Sequence, residues 1–138
     1  MHLSSLTALA TTHLLTSPRF PEIVEVARAR LAHHHALAVS RLQAWDIPFV
    51  SAQAGPFVFA RLAPTARNTA DEEATMKRLR SGGVTVTPGS QFGGGKEAWG
   101  SMAEDAAGWA RITVAVPESQ LLEGLEKIGR ALGLEKSE

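Results

Sequence analysis

The sequence predicts an α+β fold, a small, mostly antiparallel sheet of about four strands covered by helices. Three observations predict it. Apolar residues recur at helical spacing in separate segments at both ends and in the middle of the chain. Between them lie short runs rich in Phe, Val and Ile, bounded by Gly and Pro. The resulting order, ααββαβ(loop)βα, contains no internal repeat, low-complexity tract or interdomain linker, and 138 residues suit a single domain with one core.

Leu6, Leu9, Ala10 and Leu14 repeat at helical spacing from Ser4 to Thr16. Ser17-Pro18 ends that helix, because proline restricts the residue before it and has no N–H to donate. The longest helical pattern follows, from Glu22 to Trp45, opened by Pro21 and by Glu22 and Glu25 in the first turn, where the helix dipole favours negative charge. Ile47 to Val50 and Phe57 to Leu62 read as two strands joined by a turn at Gly55-Pro56. Thr69 and Glu72 have capping-box spacing, which starts a helix from about Ala70 to Ser81. Gly82-Gly83 ends it. Val84 to Thr87 is a strand, Ser90 to Gly108 a long glycine-containing loop, and Trp109 to Val116 another strand. Pro117 opens a last helix, Glu118 to Leu132, with Leu121, Leu125, Ile128 and Leu132 on its inner face.

Composition removes several classes of function. Fourteen Lys and Arg balance fourteen Asp and Glu, so charge gives no case for nucleic acid or an anionic membrane as partner. The chain has no cysteine, which excludes disulfides, thiolate metal sites and a Cys nucleophile. That is compatible with a cytoplasmic protein. The N-terminus lacks the basic region of a signal peptide, and no apolar stretch is long enough to span a membrane.

Motifs that carry chemistry are few. His33-His34-His35 are consecutive, so on a helix they project in different directions and cannot converge on one metal. They read as two solvated imidazoles and one, His34, at the boundary of the core. Gly93-Gly94-Gly95 is followed by Lys96-Glu97, with no hydroxyl after the lysine, and matches neither the P-loop nor the dinucleotide pattern. No G-x-S-x-G elbow is present. Trp99 and Trp109 flank the loop and read first as packing residues. Arg111 is more informative, because it interrupts an apolar strand. Alternation puts Trp109, Arg111 and Thr113 on one face and Ala110, Ile112 and Val114 on the other. A guanidinium there faces solvent, an internal acid or an anionic ligand.

Taken together, "AGPFVFARL", the capped helix, "LRSGGVTVTPGSQFG" and "WARITVAVPESQLLEGLEKIGRAL" resemble the C-terminal small domain of class I/II aminotransferases. These are pyridoxal-phosphate enzymes of fold type I, and the 1-aminocyclopropane-1-carboxylate synthase-like branch is the most similar. Gly55-Pro56-Phe57 resembles the strand that begins the small-domain sheet. Val84 to Phe92 is similar to the strand and turn that approach the active site, so the resemblance gives the glycine-containing stretch a structural role. It implies that Arg111 binds the α-carboxylate of the substrate.

The family's large domain, which carries the Schiff-base lysine and most contacts to the cofactor, has no counterpart here. The four lysines, Lys77, Lys96, Lys127 and Lys136, lie outside any S-x-S-K-like context, and there is no tyrosine. The expectation is a small domain that binds no pyridoxal phosphate alone, cannot transaminate alone, and acts with a large domain or partner. The alternative is a repurposed stand-alone protein, consistent with Met1 standing just before a helix. It would bind or convert a small carboxylate without cofactor, in a pocket around Arg111 walled by His13, Asn68, Trp99 and Trp109 and closed by a second copy. A third reading is a regulatory subunit that pairs with a full-length relative. No metal, nucleic-acid or membrane partner is expected.

Overall fold

Proline punctuation and left-handed caps set the boundaries of the elements. The computed structural model describes residues 4–92 and 107–134. Helix α1 runs Ser5–Thr16 and stops at Ser17, whose backbone N–H donates to Leu14 O. Helix α2 runs Phe20–Ala44 and so begins two residues before Glu22, because Pro21 fits the first turn, where no N–H is required. Helices α3, Thr69–Ser81, and α4, Glu118–Leu132, complete the helical layer among the described residues.

Three of these helices close the same way. Ile47 N–H donates to Leu42 O, Val84 N–H to Leu79 O, and Leu134 N–H to Gly129 O. The residue before each donor is left-handed: Asp46 at φ 55°, Gly83 at 81° and Gly133 at 69°. This satisfies carbonyls that the helix leaves open and folds an apolar residue back onto the last turn. Gly83 was expected to act this way; Asp46 does so without being glycine.

The start of α3 departs from the capping-box expectation. Asn68 is the cap, its Oδ1 accepting from Asp71 N–H at 3.0 Å. Glu72 does not reach back to the helix start. It is 1% exposed and turns inward.

The sheet has strand order β1-β2-β4-β3, all antiparallel, with β1 at Phe49–Val50, β2 at Phe57–Ala60, β3 at Thr87–Pro88 and β4 at Ala110–Thr113. The strands are shorter than the apolar runs that predict them. Val84 to Val86 and Val114 to Val116 continue the sequence pattern without joining the ladder. The register sets Phe59 opposite Arg111, and Arg111 opposite Thr87.

Alternation then divides the sheet as expected. Val58, Ala60, Ala110, Ile112 and Val114 are buried against Ala38 and Leu42 of α2, Met76 and Leu79 of α3, and Leu121, Leu125 and Ile128 of α4. The other face has no helix over it among the described residues. The predicted inner face of α4 holds, with Leu132 packed at the edge of the core. Its outer face carries an ion pair in which Lys127 Nζ bonds Glu123 Oε1 at 2.6 Å. That hydrogen bond, and then the charge of the ammonium, hold the Glu123 carboxyl below its ordinary value.

Helix α1 buries no side chain. Leu6 and Leu9 are 74% and 67% exposed, and Ile23, Val24 and Val26 of α2 are also exposed. The histidine triplet sits further along α2. His33 is solvated and meets Glu118 at 3.1 Å, and His34 joins Val114 O at 3.0 Å, at the expected boundary. His35 departs from the expectation of a solvated ring: it is half-buried, with an Nε2 that has no hydrogen-bond partner among the described residues. Its place one turn after Leu31 and three residues before buried Ala38 draws it toward the core.

Candidate functional site

The uncovered sheet face carries Arg111 between two aromatic rings. Phe57 and Phe59 of β2 and Arg111 of β4 share this face, because paired and alternate residues point the same way. The chain then turns at a single 3-10 turn, Gly89–Gln91, which delivers Phe92 beside them. The guanidinium carbon of Arg111 lies 4.1 Å from the centre of the Phe57 ring and 4.5 Å from that of Phe92. Phe92 meets Phe59 edge to face, with ring centres 5.4 Å apart. Rings on the faces of a guanidinium hold its plane and leave the N–H groups at its edge for a planar acceptor such as a carboxylate. Arg111 has no carboxylate partner among the described residues.

The support beneath this site is Glu72. Its Oε1 accepts from the Ser90 hydroxyl and from Ser90 N–H, and its Oε2 accepts from Gly108 N–H at 3.0 Å. One buried carboxylate on α3 therefore ties together the turn that precedes Phe92 and the turn that leads into β4. Gly108 is fixed for a second reason. It has φ +84°, and a Cβ there would lie 2.1 Å from Ala63 O. Ala63 N–H in turn donates to Gly108 O at 3.0 Å.

The candidate residues from sequence are dispersed. Arg111 is on the uncovered face. Trp109 stands at the start of β4, half-buried, with its carbonyl accepting from Gly89 N–H at 2.7 Å. Asn68 caps α3, and His13 is exposed in the last turn of α1. Neither touches Arg111 by any contact among the described residues. Trp99 and the glycine run Gly93 to Gly95 lie outside the described residues. Phe57, Phe92, Glu72 and Arg61 were not expected as site residues; Glu72 was read as a capping partner and Phe57 as a strand residue. The alternation that marked Arg111 also marks Phe57, Phe59 and Arg61 in "FVFAR".

Two lysines can be placed. Lys77 is exposed on α3 and Lys127 is paired with Glu123 on α4, both in the helical layer on the opposite side of the sheet from Arg111. Lys96 and Lys136 lie outside the described residues. The described residues thus do not fit the requirements of a pyridoxal-phosphate site, which needs an amine beside the reacting carbon and groups to hold the ring and phosphate. No three His, Asp or Glu among the described residues are grouped to hold a metal ion, and no helix among them is long and apolar enough to cross a membrane.

Comparison with known proteins is consistent with this geometry. The family model for aminotransferase class I and II matches residues 1–128. A probable aminotransferase of Aspergillus oryzae is 37% identical over 130 residues, covering 94% of this chain and 29% of that protein. A probable aminotransferase of Aspergillus fumigatus is 33% identical over 140 residues, covering 96% of this chain and 30% of its own length. Among solved structures, a mutant aspartate aminotransferase of Thermus thermophilus complexed with tryptophan superposes with a TM-score of 0.69 at 25% identity, covering 88% of this chain and 28% of that one. The chain therefore spans less than a third of the length of these relatives.

Proposed function

The chain belongs to the aminotransferase class I and II family, and from that premise we propose that it is the small, substrate-binding part of an aminotransferase-like enzyme, acting with a large domain or partner chain that holds the cofactor. Pyridoxal phosphate, where the family uses it, supplies the electron sink for amino-group chemistry. This chain supplies other functions. Arg111 binds and orients the substrate carboxylate, the rings of Phe57 and Phe92 fix the plane of the guanidinium and exclude water from one side, and Glu72 holds the two turns that set their positions.

The observation that carries the reading is Arg111 itself, sandwiched at 4.1 and 4.5 Å on an uncovered face without a carboxylate partner among the described residues. A buried or half-buried guanidinium is costly unless an anion completes it. The exposed apolar residues of α1 and the first half of α2 support the second half of the proposal. Leu6, Leu9, Leu14, Leu15, Ile23, Val24 and Val26 make an apolar surface of the kind that a neighbouring domain covers.

Two titrations of the purified chain test this. An aliphatic 2-amino acid should give saturable NMR shifts at Phe57 and Phe92, and Arg111→Gln should weaken that binding about tenfold or more, the scale of one charge-assisted bidentate pair. Unchanged binding in Arg111→Gln sinks the carboxylate role. Pyridoxal phosphate followed by borohydride should label lysines weakly and at scattered positions. Saturable labelling of one lysine would show that the chain holds its own cofactor and would overturn its dependence on a partner.

A further inference from the structure

The ladder between β3 and β4 opens before its sequence pattern ends. Thr87 pairs with Arg111 and Pro88 with Ala110, while Val84, Thr85 and Val86 pair with no strand among the described residues. The cause lies at the end of α3. Val84 N–H is held by Leu79 O at 2.9 Å, and left-handed Gly83 stands against Lys127, where a Cβ would lie 3.6 Å from Nζ. The segment therefore starts at the level of α4 and reaches β4 only at Thr87.

On the other side of the opening, β4 keeps one residue ready to pair. Val114 N–H donates to Pro56 O, and Trp109 O accepts from Gly89 N–H. Successive residues of a strand turn their backbone groups to opposite edges, so the even-numbered residues of β4 bond β2 and the odd-numbered ones face β3. The N–H and C=O of Thr113 thus face the opening, and neither makes a backbone hydrogen bond among the described residues.

The opening is a cavity of about 440 Å³ with α4 as its floor. Val84, Val86, Ile112, Val116 and Leu121 give it apolar walls. The floor is bare at Gly124, in the middle of α4, where a Cβ would meet nothing within 4 Å. Glycine weakens a helix interior, and here neither a left-handed angle nor a close neighbour calls for it. The charged residues of the lining, Glu123 and Lys127, are paired with each other, so the rim asks for no charge from an occupant.

We propose that this opening takes a short extended segment of a partner protein, uncharged and alternating apolar, polar, apolar, which adds to β4 as an extra strand beside Thr113. The central residue of the segment exchanges both backbone hydrogen bonds with Thr113. Directly paired residues share a face of the sheet, so its side chain lies with that of Thr113 on the uncovered face. Its two neighbours point the other way, down between the apolar walls and onto Gly124, where the absent side chain leaves room. Binding here needs nothing from Arg111.

Acetyl-Val-Thr-Val-amide is a suitable probe, because it repeats residues 84–86, the stretch that would pair with Thr113 if the ladder continued. Titrated into the purified chain, it should give saturable NMR shifts at Thr113 and Gly124 and slow the exchange of the Thr113 amide. The analogue with an ester oxygen in place of the central N–H should bind about fivefold more weakly, the scale of one net hydrogen bond. Gly124→Leu should abolish the shift at Thr113. It replaces a helix glycine that faces open space, so it should melt no lower than the wild type.

Equal binding of peptide and ester, or wild-type affinity in Gly124→Leu, overturns the proposal. So does an absence of saturable shifts in the wild type. A Thr113 amide already protected in the free chain counts against it as well, since residues 84–86 would then close the opening themselves.

Discussion

Glu72 shows how one residue can be conspicuous in a sequence and still be misread. Three residues after Thr69, it has the spacing of a capping partner, and nothing local says otherwise. Its actual partners, Ser90 and Gly108, are 18 and 36 residues away, so no window of sequence around α3 could have revealed them. Replacing it separates the two roles. Glu72→Ala leaves the buried Gly108 N–H and the two part-buried donors of Ser90 without their acceptor and should lower unfolding stability by about 2 kcal/mol. Glu72→Gln keeps the shape but turns one donor toward another, and should cost about half as much. Urea denaturation of both variants checks this; a near-neutral Glu72→Ala would show that the buried carboxylate holds nothing together. Arg111 was legible for the opposite reason, since a charge inside an apolar strand is visible in a window of five residues. Arg61 carried the same signal in "FVFAR", inside the strand predicted from Phe57 to Leu62, and was passed over.

At the level of elements, the helices were readable nearly to the residue and the strands were not. Helix ends are written locally, in Ser17-Pro18, Pro21, Gly83 and Gly133, and the structure uses each of them. Strand ends depend on where a partner strand stops. The ladder between β3 and β4 has only two pairs, so Val84 to Val86 stays outside it despite favourable residues. The start of α3 offers a test of the cap. Asn68→Ala should cost about 1 kcal/mol, the usual loss for a side-chain N-cap. Thr69→Ala should stay within about 0.5 kcal/mol, as a surface substitution at the first helical position does. Thermal unfolding of the pair decides between Asn68 and the capping box, and the reverse ranking would restore the latter.

For the molecule as a whole, the order of elements, the single-sided sheet and the family were all legible, because they rest on patterns spread over more than a hundred residues. Where a partner would pack was not legible, since the leucines of α1 read in sequence like those of any helix that faces a core. Helix α1 is where this matters. It has 12 residues and buries no side chain, and isolated helices of that length are marginal in water. In hydrogen exchange its amides should therefore be protected weakly, far less than those of α4, whose Leu121, Leu125 and Ile128 are locked in the core. Equal protection would mean that α1 is held by something other than burial. Weak protection has a kinetic meaning as well. A partner arriving at this surface would then meet a segment still choosing its conformation, and part of the apolar attraction would be spent on ordering α1. The association would then be looser than its apolar area suggests, and it could be tightened by stiffening the helix without adding a single contact.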